Sequence, residues 1–395
     1  MYKKSLYCII ILLLSINCTR QKKSDIPIIE VSTDNKAIFS ELFKEITIVP
    51  LETNTSGLLG LLAYRIEVFK DKLFILNQLA SHKNVLCFDS SGRFLFVIDR
   101  LGLGPNEYTS LSDFFIDRKR ENLILNTENS RYFRFDLSGQ FLEKIHTDSV
   151  YFARQMCYLN DSTALAFNDQ STLPKGIDLL NINLNTFNIE KTSVARSVLS
   201  GFLTPRLPIS VYSKQVLFYD ATDTIYDVSD ISKRIAKYSV NFGHNQRKSI
   251  NTIAQGISNS TDNELLGQFK SLFTSKQLMS MFTLFENSRF LVIGYAENSV
   301  PAKDFIVKNS FLLYDKMNQK AYNSANIAFD VLNLSNMGNI SILGKYDEAF
   351  YALFTPEWVP QSKEKILQSK NLSEEMISYI KEGSDDNNPL LIIFK

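Results

Sequence analysis

The chain is short of the residues that most often announce chemistry. Its 395 residues include three histidines, four cysteines and one tryptophan. No Cys-x-x-Cys pair and no Cys/His metal spacing occurs, which excludes the common structural zinc sites. A Gly-x-Ser-x-Gly elbow and a His-Glu-x-x-His helix are both absent, so the hydrolases built on them are excluded too. Charge of one sign is missing as well. The formal net charge is +1, so no general field draws nucleic acid, and no nucleic-acid partner is expected. No apolar run reaches the roughly 20 residues needed to span a bilayer.

The one apolar run that does occur is at the start. Lys3 and Lys4 precede Leu6 to Ile16, about eleven residues long, which suits the core of a signal peptide. Ser15-Ile16-Asn17-Cys18 follows and resembles a lipobox, with Asn17 in place of the usual small residue. The resemblance implies a signal over residues 1–17, acylation of Cys18, and anchoring at the outer membrane by lipid. Two or more acyl chains hold firmly where one does not. Residues 18–27 then read as a polar, basic tether. The acidic cluster that resembles a surface-export code in lipoproteins of Bacteroidetes is absent, and Thr19 is not an inner-membrane retention Asp. The expected address is the periplasmic face of the outer membrane.

The remaining chain has the composition of a large globular core, with 45% hydrophobic, 12% aromatic and 22% charged residues. About 375 residues exceed one ordinary layered domain but suit a repeat architecture. Cys87 and Cys157 sit in apolar, strand-like contexts and are read as buried free thiols.

The repeats are visible in the letters. Val85-Leu86-Cys87-Phe88-Asp89-Ser90-Ser91-Gly92-Arg93-Phe94 aligns with Tyr132-Phe133-Arg134-Phe135-Asp136-Leu137-Ser138-Gly139-Gln140-Phe141 at an offset of 47. The reading is a β-hairpin: Asp opens the turn and Gly takes the positive φ. Each unit is preceded by another short apolar strand, Leu73–Leu76 or Leu123–Leu125. Later strand pairs are more degenerate: Ala164–Asn168 with Asp178–Thr186, Val216–Asp220 with Asp223–Val228, Arg289–Gly294 with Phe311–Asp315, and Phe350–Phe354 with Leu390–Phe394. At some 55 to 60 residues per unit, the expected fold is all-β, a six-bladed β-propeller of four-stranded blades over residues 28–395. Ile46–Leu51 is expected to close it by pairing with Leu390–Phe394. Two stretches read as small helical insertions, 249–285 and 362–381, the latter with Ser373 as a cap ahead of Glu374 and Glu375.

Ile48-Val49-Pro50-Leu51-Glu52-Thr53, Gly102-Leu103-Gly104-Pro105-Asn106-Glu107-Tyr108, Asp223–Val228, Phe242-Gly243 and Asn388-Pro389-Leu390 together resemble the six-bladed β-propeller lipoproteins of Bacteroidetes, which are NHL-like in architecture. That resemblance covers nearly the whole mature chain. It implies fold and address rather than a reaction.

Site candidates are few. The Gly102–Tyr108 loop lacks the Gly-Lys-Ser/Thr of a phosphate cradle, and Pro105 removes an amide donor. Its structural reading is a tight crossing between blades. Its functional reading is that Arg100, Glu107 and Tyr108 present charge and an aromatic plane to a ligand. Trp358, between Pro356 and Pro360, is a candidate exposed platform. Most of the 29 Phe and 17 Tyr are needed to fill the core. No catalytic residue, metal or cofactor is assigned. The leading expectation is a non-catalytic envelope scaffold that binds a protein, peptide or glycan partner, with its oligomeric state open. The second is an NHL-like lyase or hydrolase with a channel-mouth metal, for which His82, His146 and His244 are the available imidazoles.

Overall fold

A computed structural model describes residues 26–395 apart from 61, 80–81, 128–130, 150, 169–176, 194–205, 220–223, 242–278, 300–305, 339, 357–358 and 371. The described chain is mostly strand, in a propeller-like arrangement of small sheets, with few helices. Three sheets have four strands, one has five and one has eight, beside a two-stranded ladder. Within each sheet, successive strands pair antiparallel as a meander.

Burial follows from stacking sheets face to face. Middle strands read as continuous buried runs, such as Leu73–Leu76 and Leu123–Leu125, because both of their faces are covered. An outer strand such as Phe141–His146 stays largely at the surface. The aromatic residues fill the wedges between sheets. Tyr132, for example, packs on Phe187 with ring centroids 4.7 Å apart.

The Asp-x-x-Gly turns form as their chemistry requires. Gly92 and Gly139 have φ of +83° and +84°. Asp89 Oδ1 accepts from the Ser91 amide and hydroxyl and from the Arg93 amide. Asp136 Oδ1 accepts from Ser138 and Gln140 in the same way. Burial acts to raise both carboxyls, but these hydrogen bonds outweigh it and hold both below the usual range.

The chain closes as anticipated. Ile46–Pro50 pairs antiparallel with Leu390–Phe394, with Pro50 opposite Leu390 and Ile46 opposite Phe394. Asn388, fully buried, ties the two termini. Its amide nitrogen donates to the carbonyls of Glu52 and Gly57, and its carbonyl accepts from Leu59 N. A second N-terminal strand, Ile28–Glu30, adds in parallel to Ile235–Asn241. Of the tether expected before it, residues 18–25, Cys18 included, lie outside the described residues.

The insertions divide. Helices Pro360–Leu367 and Glu374–Glu382 are present, and the Ser373 hydroxyl caps the second by accepting from Met376 N at 3.1 Å. Ile366, Met376 and Ile380 bury against the closing sheet. The 249–285 reading needs correction at its end. Met279–Glu286 is a strand, paired with Leu291–Glu297. Its Leu284 and Phe285 are buried in different core clusters, as the two faces of a covered strand require. Residues 249–278 lie outside the described residues.

One feature recurs along the strands that open five of these meanders. Each has a β-bulge at the same place, between Ala63 and Arg65, Leu111 and Asp113, Ala153 and Gln155, Met281 and Thr283, and Ile342 and Gly344. A bulge bends its strand and re-aims the next residue. Here the re-aimed residue reaches the neighbouring opening strand each time. Arg65 Nη1 donates to Asp113 Oδ2 at 2.5 Å, and that oxygen also accepts from Met156 N at 2.8 Å. Gln155 bonds both the amide and the carbonyl of Ile209, at 2.9 and 3.1 Å. Thr283 bridges Leu207 through the backbone. Gly344 bridges Ile66, and this single pair joins the two halves of the eight-stranded sheet. The circuit is completed by Ser288, which donates to Glu348 from amide and hydroxyl.

Gly344 is required there because a Cβ would stand 2.3 Å from the Ile66 carbonyl oxygen. We expect Gly344→Val to lower unfolding free energy by about 1–3 kcal/mol through overpacking. Urea denaturation checks this, and wild-type stability would contradict the bridge.

Candidate functional site

The inward-facing opening strands enclose a space on the axis. A cavity of about 670 Å³ lies toward their C-terminal ends, and its walls come from six strands. Arg65 and Glu67 come from one, Tyr158 from another, Ser210 and Tyr212 from a third, and Lys345 with Tyr346 from a fourth. Arg118 follows directly on Leu111–Asp117. A second cavity of about 460 Å³ lies toward the N-terminal ends, beside Ala63, Arg206 and Thr283.

Arg65 sits at the floor of the larger cavity. It pairs with Asp113 and Glu67, both at 2.5 Å. Burial acts to lower its pKa, but the two carboxylates outweigh that and keep the guanidinium charged. Such a pair is held by geometry rather than by surplus Coulomb energy, since each charge has been desolvated.

The cations nearer the mouth lean on rings. Arg118 Cζ is 4.8 Å from the Tyr346 ring centroid and 5.6 Å from that of Phe69. Lys345 Nζ is 4.6 Å from the Tyr212 centroid. Burial pushes the Lys345 ammonium down to about 8, against the pull of Glu348, Asp347 and Glu286. Tyr212 donates its hydroxyl to Glu348 Oε1 at 2.5 Å, and Tyr158 donates to Asp161 Oδ1 at 2.7 Å. These bonds fix the ring planes. At the other end Tyr64 carries two cations, with Arg206 Cζ at 3.3 Å and Lys83 Nζ at 4.6 Å from its centroid. Burial lowers both of those groups, Arg206 to about 10.

The sequence candidates fall elsewhere. Arg100, Glu107 and Tyr108 do share one loop, but none of them lines either axial cavity. Tyr108 is 3% exposed, packs edge-on against Phe133, and accepts from Arg100 N through its hydroxyl. It is a packing residue and not a presented plane, because the backbone pairing of Gly102 N with Tyr108 O turns it inward. Glu107 Oε2 accepts from Gly104 N at 2.8 Å, inside its own loop. Arg100 lies over Phe135 and Phe141. The crossing reading of this loop therefore accounts for its contacts. Trp358 and His244 lie outside the described residues. His82 contacts both oxygens of Asp99, and His146 ends a strand of a different sheet.

Sequence reading missed Arg118, Lys345, Tyr212 and Ser210. The available signal was positional: each lies in an opening strand or, for Arg118, in the turn directly after one. A search at equivalent places in each repeat would have gathered them.

Cys87 and Cys157 are both buried and free, and they belong to different core clusters. Burial pushes both thiols up to about 12. Cys157 borders the larger axial cavity, whereas Cys87 has no exposed surface. A thiol reagent at pH 8 should therefore leave Cys87 unmodified in the folded protein and label it after unfolding, and rapid labelling of Cys87 in the native state would contradict its burial.

These features define a class: a propeller-like β protein with a ligand-sized space on its axis. Within that class the chain belongs to the family described as domain of unknown function DUF4934, whose model matches residues 24–395. It is similar to the crystal structure of a "putative exported protein" from Bacteroides fragilis, with 20% identity and a TM-score of 0.67, over 94% of this chain and 99% of that one. It is also similar to a member of the DUF4221 family from Bacteroides vulgatus, with 10% identity and a TM-score of 0.52, over 89% and 97% of the two chains. At these identities the likeness concerns the fold. No curated protein matches the sequence.

Proposed function

We propose that the chain is an envelope lipoprotein, anchored at Cys18 and facing the periplasm, whose six-bladed, NHL-like propeller is a rigid scaffold for binding a protein, peptide or glycan partner. The count of six is supported by the eight-stranded sheet. It is joined at its middle by the single Gly344–Ile66 pair, so it divides into Leu62–Ile98 and a closing unit of Ile340–Phe354, Leu390–Phe394 and Ile46–Pro50. With the three four-stranded sheets and the five-stranded one, that makes six units. Export is supported by the signal-like start and by the description of the Bacteroides fragilis protein. Among the described residues, no helix is long and apolar enough to cross a membrane.

The observation that carries the binding role is the larger axial cavity. Its volume of about 670 Å³ is in the range of ligand sites, and charged and aromatic side chains converge in it from rigid strands. Val211, in its wall, offers a way to block it. Cys18→Ser should move the protein from the outer-membrane fraction to the soluble periplasmic one. A partner retained from envelope extracts by the lipidated protein should be lost with Val211→Trp. Equal retention by the blocked variant would place binding elsewhere.

A further inference from the structure

We propose that the smaller axial cavity, toward the N-terminal ends of the opening strands, binds a carboxylate on an apolar body, with Arg206 as its anion contact. This goes beyond the scaffold reading, which rests on the larger cavity.

Arg206 lines this cavity, and among the described residues it forms no ion pair. Its neighbour is Tyr64, whose ring centroid lies 3.3 Å from Cζ, the separation of stacked planes. A neutral phenol holds a guanidinium in place without balancing its charge. Stacking covers a flat face and leaves the in-plane N–H groups open to a bidentate acceptor. Burial lowers the Arg206 pKa to about 10, with only Tyr64 opposing it, so the group is charged at neutral pH and poorly solvated. A cation taken from water without a partner is costly, and an anion seated on it offsets that cost. Lys83 adds to the positive potential, with Nζ 4.6 Å from the same ring centroid. Burial lowers it too; Asp113 opposes this, while Arg206 and Arg154 reinforce it. Asp113 itself is engaged by Arg65 Nη1 and Met156 N. The first bulge places the ring. Ala63 and Arg65 pair with the successive residues Asn77 and Leu76, so Tyr64 is the extra residue and stands outside the ladder.

The remaining wall selects what carries the anion. Leu59, Phe311, Ile342, Leu353 and Pro389 supply apolar lining. The polar residues beside them are neutral, apart from Asp385, which is exposed and makes no pair with Arg206. One lining cation, with a carboxylate on the same wall, suits a single negative charge and disfavours a phosphate or a sulfated sugar. A space of about 460 Å³ accommodates a small apolar group. A free apolar acid offers this chemistry, and so does the carboxyl terminus of a chain that ends in an apolar residue.

The test is calorimetric titration of the mature protein with 4-phenylbutyrate and with an acetylated tripeptide ending in leucine. Each is compared with its neutral counterpart, 4-phenylbutanol or the peptide amide. The carboxylates should bind, and the neutral forms should bind at least about tenfold more weakly, which is the scale of one hydrogen bond to a charged group. Arg206→Gln should weaken carboxylate binding by about tenfold or more while the melting temperature is retained. Thr355→Trp, at an exposed point of the cavity wall, should weaken it as well. Val211→Trp, in the larger cavity, should leave it unchanged. Binding of either carboxylate with this pattern supports the assignment, and the tighter of the two identifies the source as a free acid or a chain terminus. Failure of both to bind, equal affinity for the neutral forms, or binding that survives Arg206→Gln would overturn it. Loss with Val211→Trp but not with Thr355→Trp would place the anion in the larger cavity and overturn it too. The scaffold reading stands or falls separately, on retention of an envelope partner by the Val211→Trp variant.

Discussion

A sheet that faces an axis presents an unpaired strand edge to its neighbours, and this fold depends on how that edge is managed. The answer is a bulge repeated in five opening strands, each followed by a residue that reaches sideways. The group doing the reaching varies. It is a guanidinium at Arg65, a carboxylate at Asp113, a carboxamide at Gln155, and bare backbone at Thr283 and Gly344. What is shared is the backbone geometry that aims it. The same geometry creates the axial space, since strands stitched laterally near one level leave room above and below. Closure by Ile46–Pro50 on Leu390–Phe394 then seals the ring at its outer side.

Local signals were legible in the sequence, and signals that depend on pairing were not. The Asp89–Gly92 and Asp136–Gly139 turns could be read because their chemistry lies within four residues. The closure was visible because ITIVPL and LLIIF are strong strands at opposite ends of the chain. Ser373 announced its helix by the same local logic. The bulges left no trace, because a bulge exists only relative to a partner strand. Arg65 and Asp113 are 48 positions apart, and nothing in the letters pairs them. Met279–Glu286 was read as helix because a covered strand, here with adjacent Leu284 and Phe285 both buried, lacks the alternation that marks a half-exposed one. The Gly102–Tyr108 loop drew notice for its glycines, which serve the crossing itself.

The character of the axial cavity follows from the same economy of groups. At the level of the bulges Arg65 is matched by Asp113 and Glu67, and at the C-terminal end of an opening strand Lys316 pairs with Glu286 at 2.7 Å. Toward the mouth the cations also lean on rings, Arg118 on Tyr346 and Lys345 on Tyr212, with Glu67 and Glu348 among the carboxylates nearby. A net charge of +1 over the whole molecule gives no hint of this placement. Chemistry at such a site comes from placed side chains on a rigid frame, so composition and motif searches pass over it.

The central claim is that the bulge residues hold the sheets in a ring. Stability of Asp113→Ala in urea tests it most directly. Removing this carboxylate leaves the buried Arg65 guanidinium with Glu67 alone and deletes the acceptor for Met156 N, so the loss should be about 1.5–3 kcal/mol. A loss below about 1 kcal/mol, the scale of an ordinary surface contact, would contradict the account.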